Sequence, residues 1–189
     1  MFSASLIKPI VLPAALLLVS LGLAGCDGIT DDLVPSGDDT RQAVEAGTIG
    51  IEVGQISPDF SLFDTLGNSR GLYAELAIPK DGVVLYFNMW CPICDAHASH
   101  MRNNVIPDFP EVTFFLVDYV TGAISASRTA QESSGFTDIE TLVDVSQVVF
   151  DLYDASMGTT VVIDKGGIVR MNEDYKDGVK LIEILQALP

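Results

Sequence analysis

The sequence predicts an α/β fold in which helices cover both sides of a mixed central β-sheet, giving three layers. The first observation is that short apolar runs typical of buried strands alternate with helix-compatible segments, an order that favours parallel strands. The second is a β-branched run at residues 159–164, which a Lys165-Gly166-Gly167 turn connects to residues 168–171. Such a hairpin adds antiparallel strands to the sheet.

The N-terminal segment differs from the rest of the chain. Lys8 is the only charge in residues 1–25, and its apolar core of about 16 residues is shorter than the roughly 20 that span a bilayer. We therefore predict a cleaved secretory signal, with a retained membrane anchor as the alternative. The sequence Leu23-Ala24-Gly25-Cys26 resembles the lipobox of bacterial lipoproteins. This resemblance implies that Cys26 becomes the lipid-modified N-terminus, which would hold the protein on a membrane of the cell envelope.

Residues 26–48 are predicted to form an acidic flexible tether, because they carry six acidic residues and one arginine, Arg41. The formal charge of the chain is −16, and loss of Lys8 with the signal would make it −17. This charge argues against nucleic-acid binding and against electrostatic attraction to anionic lipids. Residues 49–189 have the composition of one globular domain.

Further elements of the domain follow in order. A hairpin at the sheet edge is predicted for residues 54–64 with a turn at Gly67-Asn68, then one or two helical turns at 72–77. Strands are predicted at 83–89, 112–120 and 141–143, and a helix at 123–134 that stops at Gly135. We expect Ser146 to cap a helix that ends near Tyr153, and residues 178–188 to form the last helix.

Two cysteines follow the most apolar of these strands. Residues 83–89 are nearly all aliphatic or aromatic, and the Cys91-Pro92-Ile93-Cys94 sequence begins where this strand ends. Pro92 suits the first turn of a helix, so Cys91 is placed at a helix N-terminus. Free N–H groups and the helix dipole stabilise a thiolate there, which predicts a nucleophile with a lowered pKa.

Residues 53–188 resemble the thioredoxin-like superfamily, and within it the TlpA-like thiol-disulfide oxidoreductases of the redoxin (AhpC/TSA) group. The resemblance is carried by residues 53–62, by the run from Tyr86 to Cys94 with Trp90 before the first cysteine, and by residues 159–167. A Cys-x-x-Cys pair is also half of a zinc site, but Trp90 and the preceding strand favour redox chemistry.

The resemblance implies a function for the pair. Cys91 would attack a substrate disulfide and Cys94 would resolve the mixed disulfide, so that a Cys91–Cys94 disulfide replaces any other cofactor. The expected partners are thiols or disulfides of exported proteins and a redox partner. The domain is predicted to be a monomer outside the cytoplasm, in the periplasm. Exported proteins retain disulfides, which agrees with one anchor cysteine and one redox pair.

Two positions differ from the family pattern near the second cysteine. Many thioredoxins bury an acidic residue in the active-site strand, and the matching residue here is Leu85. TlpA-like proteins commonly have a glutamate where this chain has His97. A histidine one turn after Cys94 could accept its proton at near-neutral pH, and the alternative is a solvated polar residue without a catalytic role.

A third difference lies in the loop that the family places beside the cysteines. The family has a cis-proline there, whereas this chain has Met157-Gly158-Thr159. We expect the Met157–Gly158 bond to be trans or the loop to be reshaped, because a cis bond before a non-proline residue costs roughly 2.5–4 kcal/mol. Trp90, Pro92, Met157 and Gly158 are thus the predicted surroundings of the two thiols.

The missing proline leaves a second function open, a copper- or zinc-binding protein or metallochaperone. Cys91, Cys94 and His97 could bind one ion, with Met157 or a partner in the fourth position. His100 is too far from Cys91 for the same ion, since nine residues of helix rise about 13.5 Å. A peroxiredoxin is disfavoured because that branch has a threonine where Asn88 stands.

Overall fold

A computed structural model of the chain describes residues 43–189. The predicted signal peptide, the predicted anchor Cys26 and most of the predicted tether lie outside the described residues. The strands are β1 (Ser61–Asp64), β2 (Ser69–Gly71), β3 (Gly82–Asn88), β4 (Val112–Asp118), β5 (Glu140–Val143), β6 (Thr159–Asp164) and β7 (Val169–Asp174). The helices are α1 (Leu72–Leu76), α2 (Pro92–Asn104), α3 (Ile124–Ser134), α4 (Val148–Leu152) and α5 (Val179–Gln186), with one 3₁₀ turn at Ile106–Asp108.

The strands form one mixed sheet in the order β2-β1-β5-β4-β3-β6-β7. Strands β3, β4 and β5 are parallel, whereas β6 and β7 form the predicted antiparallel hairpin. Strands β1 and β2 form the predicted hairpin at the opposite edge. The predicted α/β class with a mixed central sheet is confirmed.

Strand β3 is at the centre of the core, and all seven of its residues are buried. It pairs with β4 on one side and with β6 on the other, so its backbone groups are satisfied along both edges. Alternate residues of a strand point to opposite faces of a sheet, and β3 supplies both faces with large side chains. This explains why its sequence is continuously apolar and does not alternate.

Each face of the sheet has its own apolar cluster. The first cluster joins Val84 and Tyr86 of β3 to residues of α2 and α5, including Met101 and Leu181. We call this side of the sheet the α2 face. The second cluster joins Leu85 and its neighbours Val83 and Phe87 to residues of α1 and α4 and to Tyr153. We call this side the α4 face.

The helix after β5 begins differently from the prediction. Its first residue is Val148, and Gln147 is the capping residue, with a positive φ of 56°. The carboxylate of Asp144 accepts hydrogen bonds from the N–H groups of Val148, Val149 and Phe150. The prediction that Ser146 caps this helix was wrong, because a buried carboxylate at the end of β5 satisfies the free N–H groups instead.

Residues before β1 are joined to the sheet by backbone hydrogen bonds. The N–H of Gly47 donates to Gly54 O at 3.0 Å, and the N–H of Gly54 donates to Val169 O at 2.9 Å. The predicted division between tether and domain at residue 48 stays a prediction. Within residues 43–189, none of the helices is long and apolar enough to span a membrane.

Candidate active site

Cys91 is the residue that precedes α2 and caps its N-terminus. Its backbone is extended, Pro92 occupies the first helical turn, and the Cys91 sulfur accepts a hydrogen bond from the N–H of Cys94 at 3.2 Å. Burial alone would raise the pKa of the Cys91 thiol, but hydrogen bonds from the Cys94 side chain and from nearby backbone N–H groups hold that pKa below its usual value. A partly exposed thiol with a lowered pKa is a nucleophile.

Cys94 lies one turn into α2 in contrasting surroundings. Its side chain is 0% exposed, and burial raises the pKa of its thiol, as does its hydrogen bond to Cys91. Both cysteines are free thiols in this structure. The pair therefore combines an accessible sulfur that ionises readily with a covered sulfur that holds its proton.

Trp90 connects the cysteine segment to the ends of two parallel strands. Its backbone is left-handed, with φ of 57°, which is uncommon for a side chain of this size. The Trp90 backbone N–H donates to Asn88 Oδ1 at 2.9 Å, and its indole N–H donates to Asp118 Oδ2 at 2.8 Å. Asn88 and Asp118 are paired residues at the carboxyl ends of β3 and β4. These contacts hold the turn from which Cys91 projects.

The loop at Met157 and Gly158 lies beside the end of β3. The N–H of Gly158 donates to Phe87 O at 3.0 Å, and Gly158 O accepts from the N–H of Tyr175 at 2.8 Å. None of the peptide bonds in residues 43–189 is cis, so the expected trans Met157–Gly158 bond is found. Gly158 has φ of +90°, a conformation that proline cannot adopt and that other L-residues rarely adopt. The loop is built around glycine.

His97 lies beside this loop, one turn after Cys94. A Cβ atom added to Gly158 would have only the His97 ring within 4 Å, at 3.9 Å from Nδ1. His97 Nδ1 is 2.9 Å from the hydroxyl of Tyr86, and the two rings are edge to face. Burial lowers the pKa of His97, and the charge of His100 lowers it further. A neutral imidazole at near-neutral pH can accept a proton.

Sequence reasoning missed the aromatic residues that surround His97. The hydroxyl of Tyr175 is 2.6 Å from His100 Nδ1, and the Tyr175 ring lies 4.8 Å from the His97 ring. Tyr86 is 1% exposed, in the middle of the most apolar strand. A signal was present, because a buried tyrosine hydroxyl requires a hydrogen-bonding partner and Tyr86 is the one hydroxyl-bearing residue of β3.

The structure gives no support to the metal hypothesis. In the part of the chain that is described, no three His, Cys, Asp or Glu side chains lie close enough together to hold an ion. His97 Nδ1 lies 2.9 Å from the Tyr86 hydroxyl. Metal binding by Cys91, Cys94 and His97 therefore stays a prediction without a grouped ligand set among residues 43–189.

Apolar side chains are exposed on both sides of Cys91. Met89 is 41% exposed and Ile93 is 56% exposed, although both are large apolar residues. Val120, which follows the carboxyl end of β4, is also exposed. Exposed apolar side chains next to a reactive cysteine suit contact with another polypeptide.

Comparison with known proteins agrees with this geometry. The sequence of residues 53–172 matches the AhpC/TSA family. A comparison with curated protein sequences gives no match.

Solved structures with the same fold include three bacterial proteins. Peroxidoxin BcpB from Mycobacterium tuberculosis has a TM-score of 0.61 and 24% identity, over 74% of this chain and 99% of that one. The thioredoxin domain of a thiol-disulfide oxidoreductase from Bacteroides vulgatus has a TM-score of 0.58 and 16% identity, over 72% and 97%. A secreted disulfide oxidoreductase from M. tuberculosis, homologous to E. coli DsbE, has a TM-score of 0.53 and 19% identity, over 68% and 96%. The predicted thioredoxin-like fold is confirmed.

Proposed function

The chain belongs to the AhpC/TSA family, and from this membership and the site geometry we propose that it is a thiol-disulfide oxidoreductase acting through Cys91 and Cys94. The observation that carries the proposal is the contrast between the two thiols. Cys91 is accessible and has a lowered pKa, whereas Cys94 is buried and has a raised pKa. This contrast separates the thiol that attacks from the thiol that resolves.

The reaction has two exchange steps. The Cys91 thiolate attacks one sulfur of a substrate disulfide, forming a Cys91–substrate disulfide and releasing the other substrate sulfur as a thiolate. Cys94 then loses its proton and attacks Cys91 Sγ, which breaks the mixed disulfide and releases the second substrate thiol. The substrate disulfide gains two electrons and the protein gains a Cys91–Cys94 disulfide. The reverse sequence oxidises a dithiol, and the reduction potential of the partner sets the direction.

His97 is proposed as the base of the resolving step. Its lowered pKa keeps the imidazole neutral near pH 7, and it lies on the same side of α2 as Cys94. The position at which related proteins carry an acid is Leu85, which cannot accept a proton. His97 supplies the missing acceptor.

The substrates are proposed to be other proteins. Exposed Met89 and Ile93 flank Cys91 and would contact apolar side chains around a substrate cysteine. The negative charge of the chain opposes nucleic acid as a partner. We further propose that the domain acts as a monomer outside the cytoplasm, held to a membrane of the cell envelope by lipid on Cys26.

Trapping the mixed disulfide tests the redox function. The full-length Cys94→Ser variant, mixed in reduced form with oxidised insulin, should accumulate a covalent complex. Reduction by dithiothreitol should separate this complex into its two proteins. The Cys91→Ser variant is the matched control and should form none, since it lacks the attacking sulfur. The proposal fails if the two variants give equal amounts of complex, or if wild-type protein reduces insulin no faster than a small thiol.

The anchoring proposal has a separate test. In a bacterial host, the Cys26→Ser variant should move from the membrane fraction to the soluble exported fraction while insulin reduction is unchanged. Cys91→Ser should lose activity and stay with the membrane. Retention of the Cys26→Ser variant on the membrane would exclude a lipid anchor at this position.

A further inference from the structure

The hydroxyl of Tyr86 is 2.9 Å from His97 Nδ1. Burial raises the pKa of Tyr86, and so do the charge of the neighbouring Cys94 side chain and a hydrogen bond with it, which places the buried thiol next to the same hydroxyl. We propose that Tyr86 relays the proton of the Cys94 thiol to His97 Nδ1 during the resolving step. This inference rests on the proposed redox function of the cysteine pair, and it assigns a role to a residue outside the Cys-x-x-Cys sequence.

The resolving step needs such a path because Cys94 has no access to water. Its side chain is 0% exposed, and burial raises the pKa of its thiol. A thiol in that position forms the reactive thiolate only if a neighbouring group takes its proton. Leu85 is on the α4 face, whereas Tyr86 and the buried side of α2 are on the α2 face. The strand therefore directs the Tyr86 hydroxyl toward the helix that carries Cys94. The position at which many thioredoxins have a carboxylate, Leu85, points to the other face.

The protonation states of the two ring groups suit a relay. Burial raises the pKa of Tyr86, and the neighbouring charges of Cys94 and Cys91 raise it further, so the phenol remains protonated at neutral pH. Tyr86 can therefore move a proton only by donating its own as it accepts another. Burial lowers the pKa of His97, so a neutral imidazole is ready to accept at Nδ1 when Nε2 carries the hydrogen.

Packing fixes the orientation of the relay. The Tyr86 ring is edge to face with both His97 and Tyr175, at centroid distances of 5.9 and 6.0 Å. Gly158 adds no side chain over the His97 ring. His97 is only half-buried, which leaves a route by which its imidazole can return the proton to solvent.

Other titratable groups approach the relay from each surrounding element. Cys91 caps α2, His100 is on α2, Tyr175 follows β7, and Tyr119 follows β4. The pKa of Tyr119 is raised, first by burial and then by the charges of the two cysteines. Tyr119, like Tyr86, therefore stays neutral. The pKa of Tyr175 is raised to about 12, mainly by burial. The pKa values of Cys91 and His97, in contrast, are both lowered, so these are the neighbours whose charge can change nearest to neutral pH.

The step balances as follows. The Cys94 S–H proton moves to the Tyr86 oxygen while the Tyr86 hydroxyl proton moves to His97 Nδ1, leaving a thiolate, a neutral phenol and an imidazolium. The Cys94 thiolate attacks Cys91 Sγ, and the bond between Cys91 and the substrate sulfur breaks. The leaving substrate thiolate takes a proton from solvent, and the imidazolium returns its proton to solvent.

The test follows the two exchange steps separately in the full-length protein. Reduced protein reacts with dithiobis(nitrobenzoate), which releases one chromophoric thiolate when Cys91 attacks and a second when Cys94 resolves the adduct. The first, bimolecular phase reports the proposed function, and the second, unimolecular phase reports the relay. In Tyr86→Phe we expect an unchanged first phase and a second phase slower by about 100-fold, the low end for a positioned proton transfer.

The pH profile of the second phase distinguishes a relay from a structural effect. The wild-type rate should rise with pH through the titration of His97 and then level off. Tyr86→Phe and His97→Ala should both lose this rise, so that their rates increase only as Cys94 itself ionises. The double variant should be no slower than either single variant, because both changes break the same path.

Tyr153→Phe is the matched control, since Tyr153 is as buried as Tyr86 but lies on the α4 face. It should leave both phases unchanged. A wild-type second phase in Tyr86→Phe, or a double variant slowed by the product of the single effects, would overturn the relay while the first phase still supported the redox function. If wild-type protein shows no first phase, the redox function itself is refuted.

Discussion

The two faces of the central sheet each bury a tyrosine, but they give its hydroxyl different partners. On the α2 face, Tyr86 lies beside the His97 imidazole, which can accept a proton near neutral pH, and beside the Cys94 thiol, whose pKa burial raises. On the α4 face, the Tyr153 hydroxyl is 2.6 Å from the hydroxyl of Ser57, which does not titrate. Both tyrosines are 1% exposed. Equal burial and a satisfied hydrogen bond therefore accompany two different chemical surroundings.

The difference originates in strand β3, which contributes to both faces. Neighbouring residues of a strand point in opposite directions, so Leu85 and Tyr86 belong to different clusters although they are adjacent in sequence. The α4 face holds Leu85 among aliphatic and aromatic neighbours. The α2 face carries the polar groups to which the proposed relay assigns the chemistry of Cys94. One step along the strand separates a packing position from a position with a proposed function.

The largest expected effect comes from placing a charge on the α4 face. Leu85 is 0% exposed, and Leu85→Asp would bury a carboxylate among apolar side chains without an ionic partner. We expect a loss of about 3–5 kcal/mol in the free energy of unfolding at pH 7. Burial raises the pKa of a carboxyl group, so the loss should lessen as pH falls and the group becomes neutral. Urea denaturation at several pH values measures this.

Leu85→Met is the control for that experiment, because it keeps the volume and the apolar character of the side chain. Its cost should stay below about 1.5 kcal/mol and should not depend on pH. If Leu85→Asp unfolds at the wild-type urea concentration, or restores fast resolution in a Tyr86→Phe background, the α4 face is not the closed apolar region described above.

The second prediction concerns thiol reactivity at the edge of the α2 face. The lowered pKa of Cys91 and the raised pKa of Cys94 predict unequal thiolate fractions at pH 6. The Cys94→Ser variant should be alkylated by iodoacetamide faster than Cys91→Ser, about tenfold for every unit of difference between the two pKa values. The gap should close as pH rises, since Cys91 ionises first and reaches its limiting rate first. Equal rates at pH 6 would contradict the assigned roles.

Much of this fold follows from local patterns in the sequence. Strand β3 and the start of α2 were predicted because a continuous apolar run and Pro92 are short-range signals. The cysteine pair was predicted from its place at the end of the apolar strand and from the family resemblance, and His97 from its position one turn after Cys94, where TlpA-like proteins commonly have a glutamate. The geometry places His97 near the thiols, but its function as a base is still a prediction.

The remaining site residues could not be found in this way because their contacts are long-range. Tyr175 meets His100 across 75 positions of the chain, and Trp90 meets Asp118 across 28. Tyr86 was overlooked for a different reason. A comparison by sequence position draws attention to Leu85, and only the alternation of side chains across the sheet shows that Tyr86 faces α2. The Asp144 cap was missed because a short loop separates Asp144 from the helix that it caps.

A third prediction tests the α4-face tyrosine directly. Tyr153→Phe removes the hydroxyl that bonds to Ser57 and keeps the aromatic packing against Phe60 and Phe87. We expect a loss of about 1 kcal/mol of stability by urea denaturation, the usual net value of one hydrogen bond. Disulfide exchange with insulin should remain at the wild-type rate. A slowed exchange would mean that the two faces share the function.

The smallest expected effect separates two histidine–tyrosine pairs of the α2 face. The inner pair is Tyr86 with His97, and the outer pair is Tyr175 with His100. Tyr175→Phe removes only the hydroxyl that lies 2.6 Å from His100 Nδ1 and keeps the ring that packs against His97 and Tyr86. His100 is half-buried and can hydrogen-bond to water instead, so stability should fall by only about 0.5 kcal/mol. Because the outer pair does not contact Cys94 in the proposed path, the unimolecular resolving rate should stay within about twofold of wild type, against the large loss expected for Tyr86→Phe. Stopped-flow measurement of both variants at the same pH makes the comparison.

If Tyr175→Phe slows resolution as much as Tyr86→Phe does, the proton leaves through the outer pair as well. The relay then extends across the whole aromatic cluster instead of ending at His97.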